Sequence, residues 1–87
     1  MEKLREEIDI IDKNMQNLFI ERMQIVKKIA EYKLENQLPV FDLDREKEII
    51  KKNIDEVSNY DFLDLYEDFF KKILELSKKY QERISEK

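Results

Sequence analysis

Arg22 and Lys33 sit where a helix would be expected to turn its apolar face inward. From Leu4 onward, steps of three and four residues meet Leu4, Ile8, Ile11, Met15, Leu18, Arg22, Ile25, Ile29 and Tyr32. A second row at the same spacing runs Phe19, Arg22, Val26, Ile29 and Lys33. A cation on a buried face is expensive unless an anion meets it. The partner is either a carboxylate elsewhere in the chain or an anionic ligand. Eleven residues separate the two cations, roughly 20° of rotation and ~16 Å of rise, so two long side chains leaning together could grip one small molecule.

Other polar residues share this pattern. Ser77 and Gln81 continue the apolar row Tyr66, Phe70, Ile73. They read either as pocket residues or as a hydroxyl bonded one turn back and a solvated edge. Glu46 heads the row Ile50, Ile54, Val57, with Arg45 beside it. Acids in a first helical turn also complement the helix dipole, which suffices for Asp44.

Composition narrows the chemistry. The chain has no Cys and no His, which removes thiol nucleophiles, histidine bases, disulfides and the usual zinc ligands. An enzyme built from these residues works by positioning and electrostatics. Charged residues are 44% of the chain, yet the hydrophobic 41% is periodic, so a folded helical protein is expected and not a disordered one. A net charge of −4 without a basic cluster disfavours nucleic acid. No apolar run is long enough for a membrane span, and MEKLREE lacks a signal-peptide core, which makes the cytoplasm the expected location.

Three helices must position these residues. The first is expected from Glu2 to Glu35, ending at Asn36-Gln37-Leu38-Pro39, with Asn36 as the left-handed residue in a chain that has no Gly. Val40 and Phe41 then form an extended connection. Asp42 caps a second helix over Leu43–Val57. After Ser58-Asn59-Tyr60-Asp61, Asp61 is expected to cap a third helix over Phe62–Ile84. Its seam is Phe62, Tyr66, Phe69, Ile73, Leu76 and Tyr80, widened by Phe70 and Leu74. Residues Ser85 to Lys87 are expected to fray.

The 87 residues are thus read as one all-α domain spanning 1–87, with one long helix and two shorter ones. The first helix is a rod ~50 Å long, whereas the others reach only ~22 and ~34 Å. The uncovered seam needs another surface, and a second copy is the simplest source. An entwined homodimer with the long helices packed along each other is expected. Arg5 lies seventeen residues before Arg22, ~25 Å along the axis, too far to share a small ligand within one chain. In an antiparallel dimer it would approach the other chain's Arg22–Lys33 region. Three of the chain's four arginines are Arg5, Arg22 and Arg45, and arginine suits bidentate carboxylate binding.

Taken together, L-R-x-x-I-D-x-I-D from Leu4 to Asp12, Glu21-Arg22, Lys33, P-V-x-D-x-x-R-E from Pro39 to Glu46, and S-x-x-x-Q from Ser77 to Gln81 resemble the all-helical chorismate mutases. The resemblance spans nearly the whole chain. It implies a domain-swapped homodimer with two sites, each completed by the partner's N-terminal arginine. It also implies the rearrangement of chorismate to prephenate in aromatic amino-acid biosynthesis, on the shikimate route. By position, Arg22 and the partner's Arg5 would bind the two carboxylates. Lys33 and Gln81 would contact the ether oxygen, and Glu46 with the backbone near Asp42 would hold the ring hydroxyl. Arg45 and Ser77 would assist at the rim, and Ile29 would supply an apolar wall.

A concerted shift within one molecule needs no nucleophile, metal or cofactor, in keeping with the missing His and Cys. Two alternatives stand beside this reading: an isochorismate pyruvate lyase of the same fold, and a helical dimer that binds without catalysing. A plain coiled coil gives no account of Lys33, Glu46 or Gln81. No regulatory domain is visible in these residues, although association with another aromatic-pathway enzyme could confer control.

Overall fold

The computed structural model describes residues 1–86. Three helices follow in order: α1 (Glu2–Glu35), α2 (Leu43–Glu56) and α3 (Leu63–Ser85). Each boundary lies within a residue of its expectation. None of these helices is long and apolar enough to cross a membrane.

The end of α1 shows how the chain manages without glycine. Asn36 keeps a negative φ of −101°, and Gln37 takes the left-handed conformation at φ 55°. This corrects the expectation for Asn36. The Leu38 N–H donates to Lys33 O (2.8 Å) and the Gln37 N–H to Leu34 O (3.3 Å). This paired closure places the left-handed residue one position beyond the cap. Asn36 is used differently, donating through Nδ2 to Tyr32 O at 2.9 Å.

Asp42 does cap α2, its Oδ1 accepting the Arg45 N–H at 3.1 Å. Asp61 does not cap α3: Phe62 holds the cap position, with no side-chain bond. There the turn is closed by the Leu63 N–H to Tyr60 O (3.3 Å) and by Tyr60 stacked on Phe62, centroids 5.1 Å apart. Helix persists to Ser85, whose hydroxyl donates to Gln81 O. Of the tail expected to fray, Lys87 lies outside the described residues.

Packing is carried by α3, which touches both other helices, whereas α1 and α2 do not pack on each other. Arg22 reaches Ser77 and, further along both helices, Lys33 reaches Gln81. Thus α1 and α3 run in the same sense, and α2 carries the chain back. Among the described residues the buried apolar side chains are Val26 and Ala30, one turn apart on α1. The centre of packing is therefore the row through Val26 and Ala30, and the Ile25–Ile29 row lies at its edge.

Among the described residues, the N-terminal part of the first helix is largely uncovered. Leu4, Ile8, Ile11 and Leu18 are each more than half exposed, although their spacing marks a buried seam. The molecule extends 51 × 26 × 14 Å with a radius of gyration of 15.8 Å, against ~12 Å for a compact chain of this length. The elongated shape leaves these apolar side chains of α1 in solvent within one chain.

Candidate active site

Beside Val26, the three helices and the connector before α2 line an open cavity of about 370 Å³. Arg22, Ile29 and Lys33 come from α1, Asp42 from the connector, Arg45 and Glu46 from α2, and Ser77 and Gln81 from α3. These eight positions, far apart in sequence, line one space. Arg5 does not. It lies near the start of α1, exposed and paired with Glu2 at 3.3 Å.

Arg22 is half-buried and donates through Nη1 to Ser77 Oγ. Among the described residues no carboxylate lies within ion-pair distance of it. The intramolecular salt bridge considered from sequence is therefore absent for Arg22. Burial lowers its pKa from the ordinary arginine value, because desolvation disfavours the charged form. An anion in the cavity would oppose that shift. Ser77 serves two roles at once: its hydroxyl donates to Ile73 O one turn back at 2.8 Å and its oxygen accepts from Arg22.

Lys33 is held from two sides. Its Nζ donates to Val40 O at 2.8 Å and to Gln81 Oε1 at 3.2 Å. An ammonium has three donors, so one remains for a ligand. The same bond orients the Gln81 amide, since with Oε1 accepting from Lys33 the Nε2 hydrogens are left to donate elsewhere. Gln81 is half-buried, not the solvated edge that spacing alone allowed. Glu46 is half-buried too and has no ion pair among the described residues. Arg45 turns outward to Glu48 at 2.9 Å.

Lys78 also lines the cavity, with Phe41, and sequence reasoning passed over it. Its Nζ lies 4.2 Å from the centre of the Phe41 ring. A lysine next to a seam reads as a solvated residue, and only the path of the connector brings Phe41 beneath it. The cavity thus gathers Arg22, Lys33, Arg45 and Lys78 against Asp42 and Glu46, an excess of positive charge in a chain whose net charge is −4. The N-terminus of α2, which favours negative charge, opens at the same place.

A second, larger concavity of about 710 Å³ runs along the uncovered part of α1, lined by Met15, Phe19, Tyr66, Phe69, Phe70 and Ile73 among others. It is an apolar groove with few polar groups to orient a ligand. Arg22 stands on its wall as well as on that of the charged cavity.

Fold and cavity define an all-helical protein with a cation-lined space sized for one small anionic molecule and neither cysteine nor histidine among its lining residues. The profile of the chorismate mutase type II family matches residues 4–82, and the chain belongs to that family. Among curated relatives, the bifunctional chorismate mutase/prephenate dehydratase of Buchnera aphidicola subsp. Acyrthosiphon pisum is 44% identical over 50 residues, 58% of this chain and 13% of that protein. Its counterpart from Buchnera aphidicola subsp. Schizaphis graminum is 44% identical over 48 residues, 55% of this chain and 12% of that one. The match therefore spans only a small part of these relatives' length. No solved structure matches the chain significantly.

Proposed function

We propose that the chain is a chorismate mutase that converts chorismate to prephenate without cofactor or metal, acting as an entwined homodimer with two shared sites. The observation that carries this is the cavity, in which Arg22 and Lys33 face inward with no carboxylate partner and with hydrogen-bonding capacity to spare.

In this mechanism Arg22 and the partner's Arg5 hold the substrate's two carboxylates, and Arg45 and Ser77 support the rim. Glu46 accepts from the ring hydroxyl beside the Asp42 turn, with Ile29 as an apolar wall. The flexible dianion is thereby kept in the compact form that brings the reacting carbons together. As the carbon–oxygen bond breaks, negative charge grows on the ether oxygen. The third Lys33 donor and a Gln81 N–H meet that charge more strongly in the transition state than in the ground state. Val40 O and Gln81 Oε1 have already fixed the ammonium, so little reorganisation is needed.

The dimer supplies what one chain lacks. A second copy's long helix is the expected occupant of the apolar groove, covering the exposed Leu4–Leu18 seam. Because Arg22 borders both groove and cavity, a helix seated there can bring its own Arg5 to the substrate.

The test is a product assay with chorismate and isochorismate in parallel. Loss of chorismate absorbance with prephenate as product supports the mutase. Pyruvate release from isochorismate, with chorismate untouched, assigns the chain to the lyase reaction. Binding of either without turnover leaves a non-catalytic module.

A further inference from the structure

The segment joining α1 to α2 bears directly on the cavity through Val40, whose carbonyl holds Lys33, and through Asp42, which starts α2. The backbones of α1 and α2 do not come close to each other, and the connector spans the gap between them. On the α1 side it is tied by Lys33 to Val40 O. On the α3 side, among the described residues, one polar or aromatic contact reaches it directly: the Lys78 ammonium over the Phe41 ring at 4.2 Å. Phe41 is 45% exposed and Lys78 is exposed as well, so the pair stands at the cavity mouth.

We infer that Lys78 and Phe41 form a latch that holds the connector against α3, making Lys78 a positioning residue for Lys33. A cation over an aromatic face is attracted by the ring quadrupole, and the attraction survives partial exposure. With the latch closed, Val40 O stays 2.8 Å from Lys33 Nζ and the ammonium keeps its fixed orientation. With the latch open, the turn bonds at Gln37 and Leu38 still hold the start of the connector, but the side-chain tie left at Val40 is the Lys33 ammonium. The ammonium then has to hold the loop as well as meet the developing charge. This inference rests on the mutase reading for its kinetic consequence, but the latch itself can be tested without turnover.

Kinetics would compare Lys78→Ala, Phe41→Leu, the double variant and Lys78→Arg. Each single change should lower kcat/KM by about two- to fivefold, the range of an exposed cation–π contact, with most of the loss in kcat because Arg22 still binds carboxylate. The double variant should be no worse than the weaker single one, as expected when two residues act as a unit. Lys78→Arg keeps a cation over the ring and should restore activity. Additive losses, or a rise in KM from Lys78→Ala with Phe41→Leu silent, would overturn the latch and make Lys78 a direct anion contact.

The chain has no tryptophan, so Phe41→Trp introduces a single indole for fluorescence. Adding Lys78→Ala to that variant should lower the indole's anisotropy and raise its quenching by acrylamide, and unchanged values would also defeat the proposal. If the wild type leaves chorismate untouched, the mutase reading fails while this fluorescence comparison still decides the latch.

Discussion

Replacing Arg22 with methionine separates a residue kept for a ligand from one kept for the fold. The guanidinium is partly desolvated and, among the described residues, has no carboxylate partner; its polar contact is Ser77 Oγ. Removing it forfeits that charge-assisted bond, about 1.5–3 kcal/mol when counted alone. It leaves no orphaned donor, because the Ser77 hydroxyl still donates to Ile73 O at 2.8 Å. Against the loss stands relief of the desolvated charge, and methionine fills the space with apolar atoms. Such exchanges are often neutral or stabilising. Urea unfolding of Arg22→Met at matched protein concentration should therefore give a stability within about 1 kcal/mol of the wild type, or above it. Chorismate turnover should be nearly abolished. A loss of about 3–5 kcal/mol, the usual result of breaking a buried ion pair, would refute the reasoning and make Arg22 a structural residue.

Three further outcomes are expected. Lys33→Ala should reduce kcat/KM at least about a hundredfold, as for loss of an oxyanion donor, with Lys33→Arg rescuing only in part; near-normal turnover would remove Lys33 from the mechanism. The wild-type pH profile of kcat/KM should be nearly flat from about pH 6 to 8.5, since an amide donates at any pH. Gln81→Glu should lose activity as pH rises, because a carboxyl donates only while protonated; a flat variant profile would exclude Gln81 as the donor. Gln37→Gly should raise stability by about 0.5–1 kcal/mol in urea or thermal melts, because glycine takes the left-handed φ without a Cβ penalty; a loss would mean the Gln37 side chain contributes more than its backbone costs.

Helix limits were legible because they rest on local chemistry: the 3.6-residue period, Pro39, and Asp42 with its reach to the Arg45 N–H. Asn36 and Asp61 misled for a related reason. Each is the residue type that often fills its position, but paired hydrogen bonds put the left-handed turn at Gln37, and a Tyr60–Phe62 stack closes the turn before α3. Of the cavity's lining, Arg22, Lys33, Glu46, Ser77 and Gln81 stood out as polar residues on apolar rows, a pattern that requires a partner wherever the helix is packed. Asp42, Arg45 and Ile29 were placed there by the family resemblance. Lys78 was not legible because its role depends on where the connector lies. Burial along α1 could not be read from one chain: the same period marks Val26, which is buried, and Leu4, which is not.

The account depends most on one site being built from two chains, and mixing two inactive variants tests this directly. Arg5→Ala and Arg22→Ala should each be nearly inactive alone. After exchange of subunits in equal amounts, half the dimers carry both variants and one of their two sites is intact, so about a quarter of wild-type activity should return. No recovery after verified exchange, or high activity in Arg5→Ala by itself, would contradict the shared site.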